Sequence, residues 1–212
     1  MYQKSILFLL TLVLFGCAKN NVEYRALLNN PGMALKSYAS LTPVNIELNK
    51  ETDVNLGDKN QEIMKYGKDK VFASKLVLPT MKRAFSLDVY SGSIAGFFAP
   101  KILFLNKSYQ VVKRSKTEDF NFDRGFFKGT IFINKRYTEI KYIVVTQDLK
   151  AISKKYHVNY VTATPITIPV GPYMATYITS SGDQNRTIKN ACGGNVEVTV
   201  KPYSPNSIYD KK

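Results

Sequence analysis

Residues 84–90, Ala-Phe-Ser-Leu-Asp-Val-Tyr, place an apolar side chain at every second position. Residues 195–201, Asn-Val-Glu-Val-Thr-Val-Lys, repeat this pattern near the other end of the chain. Successive side chains of a strand point to opposite faces, so each stretch predicts a strand with one buried and one wet face. We expect one shared core to be lined by Phe85, Leu87, Val89, Val196, Val198 and Val200.

Other short stretches between these two also have the character of strands. Three of them are almost continuously apolar and predict central strands that are buried on both faces: Lys101–Leu105, Gly129–Ile133 and Lys141–Thr146. Many short strands separated by turn residues, as at 91–93 and 180–183, predict an all-β fold. We expect a single, mainly antiparallel β-sandwich over residues 40–204, with a disordered tail at 205–212. The remaining predicted strands are Val44–Leu48, Val71–Leu78 and Tyr109–Lys113. The strand that contains the apolar run Lys141–Thr146 is expected to span Ile140–Thr146.

One short helix is predicted from Asp148 to Tyr156. Asp148 is a suitable N-cap, and Leu149, Ile152 and Tyr156 recur at helical spacing. The following segment, 162–178, contains three prolines and predicts an extended edge segment or a covering loop.

The N-terminus has the form of an export signal. Lys4 precedes the apolar run Ile6–Phe15, which predicts a signal peptide over residues 1–16. Leu14-Phe15-Gly16-Cys17 resembles the lipobox of bacterial lipoproteins. This resemblance implies cleavage between Gly16 and Cys17 and acylation of the Cys17 thiol, so that the membrane is the first expected partner. Residues 17–39 are expected to form the lipidated N-terminus and a tether.

The residue after Cys17 is Ala18 rather than Asp. In Gram-negative lipoproteins this resembles the pattern for sorting to the outer membrane. We therefore expect a lipid-anchored protein of the cell outer membrane that faces the periplasm.

Composition excludes several classes of protein. The chain has 212 residues, is 44% hydrophobic and carries a net charge of +14, which excludes wholesale disorder. Two cysteines and one histidine are too few for a disulfide-dense scaffold, a four-thiolate zinc site or a two-histidine centre. We predict no metal site and no cofactor. Because the chain is predicted to be exported, nucleic acid is not an expected partner. The basic clusters predict solvated faces, with anionic lipid, lipopolysaccharide or peptidoglycan as alternative ligands.

Catalytic patterns are also missing from the sequence. No G-x-S-x-G nucleophile elbow occurs, and His157 follows the predicted helix, where the helix dipole favours a histidine. We predict that the protein is not an enzyme and has no catalytic residues. Cys192 is expected to be a packed thiol, with an intermolecular disulfide or a reactive thiol as the alternative. The 14 tyrosines and 12 phenylalanines suit either a sugar site or core packing, and we favour the core.

Three segments resemble the MalM family of maltose-operon periplasmic proteins. Phe97–Asn106 resembles a Phe-Ala-Pro strand of that family, Ala84–Val89 its preceding strand, and Tyr142–Leu149 a later strand followed by an acidic-Leu start of a helix. The resemblance implies a non-enzymatic envelope protein associated with carbohydrate transport. The alternative is a structural or interaction lipoprotein that binds a porin, peptidoglycan or another envelope protein. The ligand-binding residues stay open at this point.

Overall fold

The two alternating stretches lie side by side as antiparallel strands, with Val198 opposite Val89 and Val200 opposite Leu87. In the computed structural model the backbone is described for residues 21–30, 34–58, 61–92, 97–123, 126–151, 155–170 and 173–203. These residues contain one α-helix, α1 (Asn21–Asn29), and 14 strands. The strands are β1 (Ala34–Leu35), β2 (Pro43–Asn45), β3 (Glu51–Leu56), β4 (Ile63–Tyr66), β5 (Asp69–Val77), β6 (Phe85–Gly92), β7 (Pro100–Asn106), β8 (Val111–Arg114), β9 (Phe120–Asp123), β10 (Phe126–Ile133), β11 (Ile140–Gln147), β12 (Lys155–Val170), β13 (Tyr173–Lys189) and β14 (Gly194–Pro202).

Two sheets form the sandwich. The large sheet has seven strands in the order β1-β4-β5-β11-β7-β8, with β2 also paired to β5. The small sheet has five strands in the order β3-β14-β6-β10-β9. Strands β1 and β2 pair in parallel with their neighbours, and the other pairings in the two sheets are antiparallel. The predicted all-β sandwich is confirmed.

The main core lies between the inner faces of the two sheets. The large sheet contributes residues such as Phe72, Phe104 and Ile143, and the small sheet contributes residues such as Ile131 and Ile133. The parity prediction is confirmed, because all six residues named for it are buried here: Phe85, Leu87, Val89, Val196, Val198 and Val200. Burying a side chain of this size contributes about 1.5–3 kcal/mol.

A second apolar cluster covers the outer face of the large sheet, which is the face turned away from the main core. Its buried members come from β4, β5, β7 and β11, and the chain just before β2 contributes Leu41. Lys75 lies at this face and is only 2% exposed. Its ammonium group donates to the carbonyls of Tyr38 (3.1 Å) and Ala39 (2.9 Å). The rings of Tyr109 and Tyr142 stack on each other, and the Lys75 ammonium lies 5.0 Å and 5.6 Å from their centroids. Hydrogen bonds and aromatic faces thus compensate the buried cation.

The segment 17–39, predicted as a tether, is described from Asn21 onward. It contains α1, which buries Leu28, and β1, which pairs with β4. Among the described residues, no helix is long and apolar enough to cross a membrane.

The predicted helix Asp148–Tyr156 is wrong. Of the described residues in this segment, Leu149–Ala151 form a 3₁₀ turn, and the chain from Lys155 onward is strand β12. The carboxylate of Asp148 does accept the amide hydrogen of Lys150, as a cap would, but β-prone residues follow the turn. His157 therefore lies in a strand, opposite Thr187, and not at the end of a helix.

Strands β12 and β13 form a two-stranded hairpin that is separate from both sheets. The prediction of an extended segment over 162–178 agrees with this hairpin, because proline is tolerated where a strand has an open edge. The turn predicted at 180–183 is wrong, since these residues continue β13.

Two strand predictions need correction. Gly129–Ile133 belongs to β10, whose residues alternate between exposed and buried, so this strand is not covered on both faces as predicted. The reason is that the outer face of β10 is only partly covered: Phe132 packs against the Tyr203 ring in an edge-on arrangement and stays 54% exposed. Val44–Leu48 yields only the three-residue β2, and Val44 is exposed. By contrast, β7 and β11 are central and largely buried, as predicted.

Candidate functional site

A cleft of about 520 Å³ opens on the outer face of the small sheet, at the end where β3, β6, β10 and β14 meet α1. Its size falls in the range of small-molecule sites. We call it the aromatic cleft. Its lining consists of Tyr24, Asn55, Leu56, Asp58, Tyr90, Gly92, Phe126, Gly194, Asn195 and Glu197.

An aromatic pair forms one wall of the aromatic cleft. The rings of Tyr90 and Phe126 stack with their centroids 5.0 Å apart and their planes 22° apart. Phe126 is 39% exposed, so much of its ring faces solvent. Gly92 is required beneath it, because a Cβ atom at this position would lie 2.8 Å from the Phe126 ring. The pair therefore presents a flat apolar surface that no described residue covers completely.

Tyr24 of α1 also lines the cleft. Its ring lies edge-on to Phe72 at 6.1 Å and contacts the position where Gly57 would carry a Cβ atom. Gly57 also has a φ of +103°, so a larger residue would be strained there. Burial, followed by the charges of Asp58 and Glu23, raises the pKa of the Tyr24 hydroxyl. The hydroxyl therefore stays neutral at physiological pH and can both donate and accept a hydrogen bond.

Side-chain amides supply polar groups in the cleft. The Nδ2 group of Asn195 donates to Asp53 at 3.5 Å. Its Oδ1 atom is buried and has no hydrogen-bond partner among the described residues. A buried acceptor without a partner costs about 1–3 kcal/mol, so this atom is suited to a hydroxyl or amide donor from a ligand. Asn55, opposite Asn195 on β3, adds a second amide.

Carboxylates make this corner of the protein acidic. Glu51, Asp53 and Glu197 place their oxygens within 4.8 Å of one another on adjacent strands. Desolvation, and then repulsion from Glu51 and Asp53, raises the pKa of Glu197. The cleft is thus locally acidic, although the whole chain carries a charge of +14. An anionic ligand would be repelled here, whereas hydroxyl groups could donate hydrogen bonds to the carboxylates.

A second depression shares Tyr90 with the aromatic cleft. It is lined by polar residues of β6, β9 and β10 and by the 3₁₀ turn Thr117–Asp119. At its floor Asp88 accepts a hydrogen bond from Thr130 (2.7 Å) and pairs with Lys201 (2.7 Å). Lys128 lies 5.9 Å from the centroid of the Tyr90 ring. Together the two depressions form an extended polar surface, with Tyr90 at their junction.

Of the residues singled out from the sequence, Cys192 is described and does not line this cleft. Gly16 and Cys17 are outside the described residues, so cleavage and acylation there stay predictions. Cys192 is buried, at 7% exposed, and is not in a disulfide bond, as expected for a packed thiol.

No motif in the sequence marks the cleft residues. Most of the described phenylalanines pack in the core, as expected. Phe126 and Phe132 are exposed instead, and the alternation of side chains along β10 could have predicted this. If Phe127, Ile131 and Ile133 face inward, the even-numbered residues of β10, which include Phe126 and Phe132, must face solvent.

The comparisons do not place the chain in a known group. No protein-family model and no curated protein matches it.

Proposed function

We propose that this protein is a non-enzymatic lipoprotein of the outer membrane that faces the periplasm and binds a neutral oligosaccharide in support of carbohydrate uptake. The acyl chains on Cys17 would hold it to the membrane. The resemblance of Ala84–Val89, Phe97–Asn106 and Tyr142–Leu149 to the MalM family suggests a maltodextrin as the sugar. The observation that carries the proposal is the aromatic cleft.

The cleft has the chemistry that sugar binding requires. A pyranose ring has an apolar face of C–H groups, which fits the exposed surface of the Tyr90–Phe126 pair. Its hydroxyl groups donate and accept hydrogen bonds, for which Asn195, Asp58 and Tyr24 provide partners. The acidic corner disfavours sulfated, phosphorylated or carboxylated sugars. A neutral sugar therefore fits better than lipopolysaccharide.

Phe126 and Phe132 allow a matched test. Both lie on β10, both are exposed, and their even spacing places them on the same face of the small sheet, but only Phe126 lines the cleft. Loss of an aromatic sugar platform should weaken binding about tenfold or more, which corresponds to about 1.4 kcal/mol. Phe126→Ala should therefore lower the affinity for a maltodextrin by at least this factor, and Phe132→Ala should leave it unchanged.

The measurement is isothermal titration calorimetry with the acylated protein in a detergent that has no sugar headgroup. A neutral glycan array identifies the best oligosaccharide first. Equal loss of affinity in both variants would contradict the assignment of the cleft. A pull-down with the same protein tests the alternative. If no neutral glycan binds but a porin or peptidoglycan is pulled down, the protein is a structural or interaction lipoprotein instead.

A further inference from the structure

The hairpin β12–β13, which we call the arm, is the one paired element of the described chain that joins neither sheet. Its strands of 16 and 17 residues pair continuously from Lys155 opposite Lys189 to Val170 opposite Tyr173, apart from one irregularity near Tyr160. At about 3.3 Å per residue the arm is about 50 Å long. Neither of its edges pairs with another of the described strands.

The base of the arm lies beside the start of α1. The side chain of Asn21 donates to the carbonyl of Asn190, the residue after β13, at 3.4 Å, and accepts from the amide of Cys192 at 2.9 Å. Only three residues, 18–20, lie between Cys17 and Asn21, and this span of four residue steps reaches at most about 14 Å. If Cys17 is acylated, as predicted, Asn21, which hydrogen-bonds the chain at the base of the arm, is held within this distance of the lipidated residue.

Charge is distributed unevenly along the arm. Residues 156–182 contain no Lys, Arg, Asp or Glu, although 22% of the whole chain is charged. The arm has four charged residues, Lys155, Asp183, Arg186 and Lys189, which all lie toward its base, and three of the four are basic. The distal part, in contrast, is rich in apolar and aromatic residues: Ile166, Ile168, Val170, Tyr173, Met174, Tyr177 and Ile178.

We infer that the arm is a second membrane contact, with its basic base against anionic headgroups and its uncharged distal part in the interfacial region of the lipid. Basic residues near a surface are attracted by anionic lipids, and tyrosine is enriched at the boundary between headgroups and acyl chains. The open backbone edges exclude burial in the dry hydrocarbon, where unpaired amides are costly. The arm therefore lies along the hydrated interface, and its apolar residues enter only about 5–10 Å. Acyl chains and arm together would fix the orientation of the sandwich on the membrane.

The absence of tryptophan from the chain provides a clean reporter. Tyr173→Trp places the only tryptophan near the tip of the arm. Phe132→Trp places it on the small sheet, at a position where the native side chain is 54% exposed.

Each full-length, acylated variant is reconstituted into vesicles of phosphatidylethanolamine and phosphatidylglycerol that carry bromine near the headgroup end of the acyl chains. Bromine quenches tryptophan only over a short range. The fluorescence of Tyr173→Trp should fall about twofold relative to unbrominated vesicles if the tip enters the interface, and that of Phe132→Trp should not change.

Two further variants separate the arm from the anchor. Ile168→Glu, combined with Tyr173→Trp, should abolish the quenching, because a carboxylate would have to leave water. Cys17→Ser, combined with Tyr173→Trp, tests whether the arm contacts lipid without acyl chains. If this variant is still quenched and the parent protein takes up no palmitate, the arm contacts lipid by itself. Acylation of Cys17 is then refuted, and the inference about the arm still holds. Absent quenching of Tyr173→Trp in acylated protein, or equal quenching of Phe132→Trp, would overturn the inference.

Discussion

The outer faces of the two sheets differ, although both sheets contribute to the same core. On the large sheet, the chain from Ala34 to Leu41 and aromatic residues cover the outer face, and even Lys75 is buried. On the small sheet the described residues leave the outer face largely exposed, and it carries carboxylates, amides and the Tyr90–Phe126 pair. A sandwich needs only one buried face on each sheet, so the second face is available for another role. Here one face is used for additional packing, and the other forms the candidate binding surface.

The largest expected effect tests which face of β6 is buried. Leu87 is fully buried in the main core, and Asp88 lies next to it on the open face. Leu87→Asp should lower the free energy of unfolding by about 4 kcal/mol or more, because a carboxylate would enter an apolar core. Asp88→Asn loses only a surface ion pair with Lys201 and should cost about 1 kcal/mol or less. Urea unfolding followed by circular dichroism measures both, and similar losses would contradict the assigned face.

A smaller effect tests the covered face against the open face directly with two lysines. Lys75→Ala removes two hydrogen bonds to backbone carbonyls and the contact with Tyr109 and Tyr142, and should cost about 2–3 kcal/mol. Lys128→Ala on the open face should change stability by about 0.5 kcal/mol or less. Thermal unfolding of the two variants provides the comparison. If Lys128→Ala were the more harmful change, the small sheet rather than the large sheet would be the covered one.

The smallest expected effect concerns pH and the acidic corner. Because the pKa of Glu197 is raised in the folded protein, folding favours its protonated form. This contribution is fully present below the ordinary glutamate pKa of 4.5 and is lost as the pH rises through the higher folded value. Glu197→Gln should therefore stabilise the protein at pH 7 by a few tenths of a kcal/mol, and the gain should vanish at about pH 4. Unfolding curves at the two pH values test this, and a destabilised variant at pH 7 would be the opposite result.

The sequence predicted those strands best whose local pattern matched their environment. Alternation in 84–90 and 195–201 correctly identified the inner face of the small sheet, and the apolar runs of β7 and β11 correctly predicted burial on both faces. The pattern was misleading at Asp148–Tyr156, where a capping residue and helical spacing also suit a turn followed by a strand. The apolar run of β10 was also misleading, because it predicted burial on both faces. Such a run cannot show whether another segment covers the outer face of the strand.

The sequence by itself determined the all-β class, the six inward-facing residues of β6 and β14, and the prediction that Cys17 is acylated. Strand periodicity and short motifs are local, so one chain segment is enough to identify them. Only the tertiary structure brought Tyr24, Tyr90, Phe126 and Asn195 together, from one helix and three strands that are distant in sequence. It also decided that the large sheet is covered and the small sheet open. Both outcomes depend on strand order and on which loops pack where, and these are non-local properties that no single stretch of sequence contains.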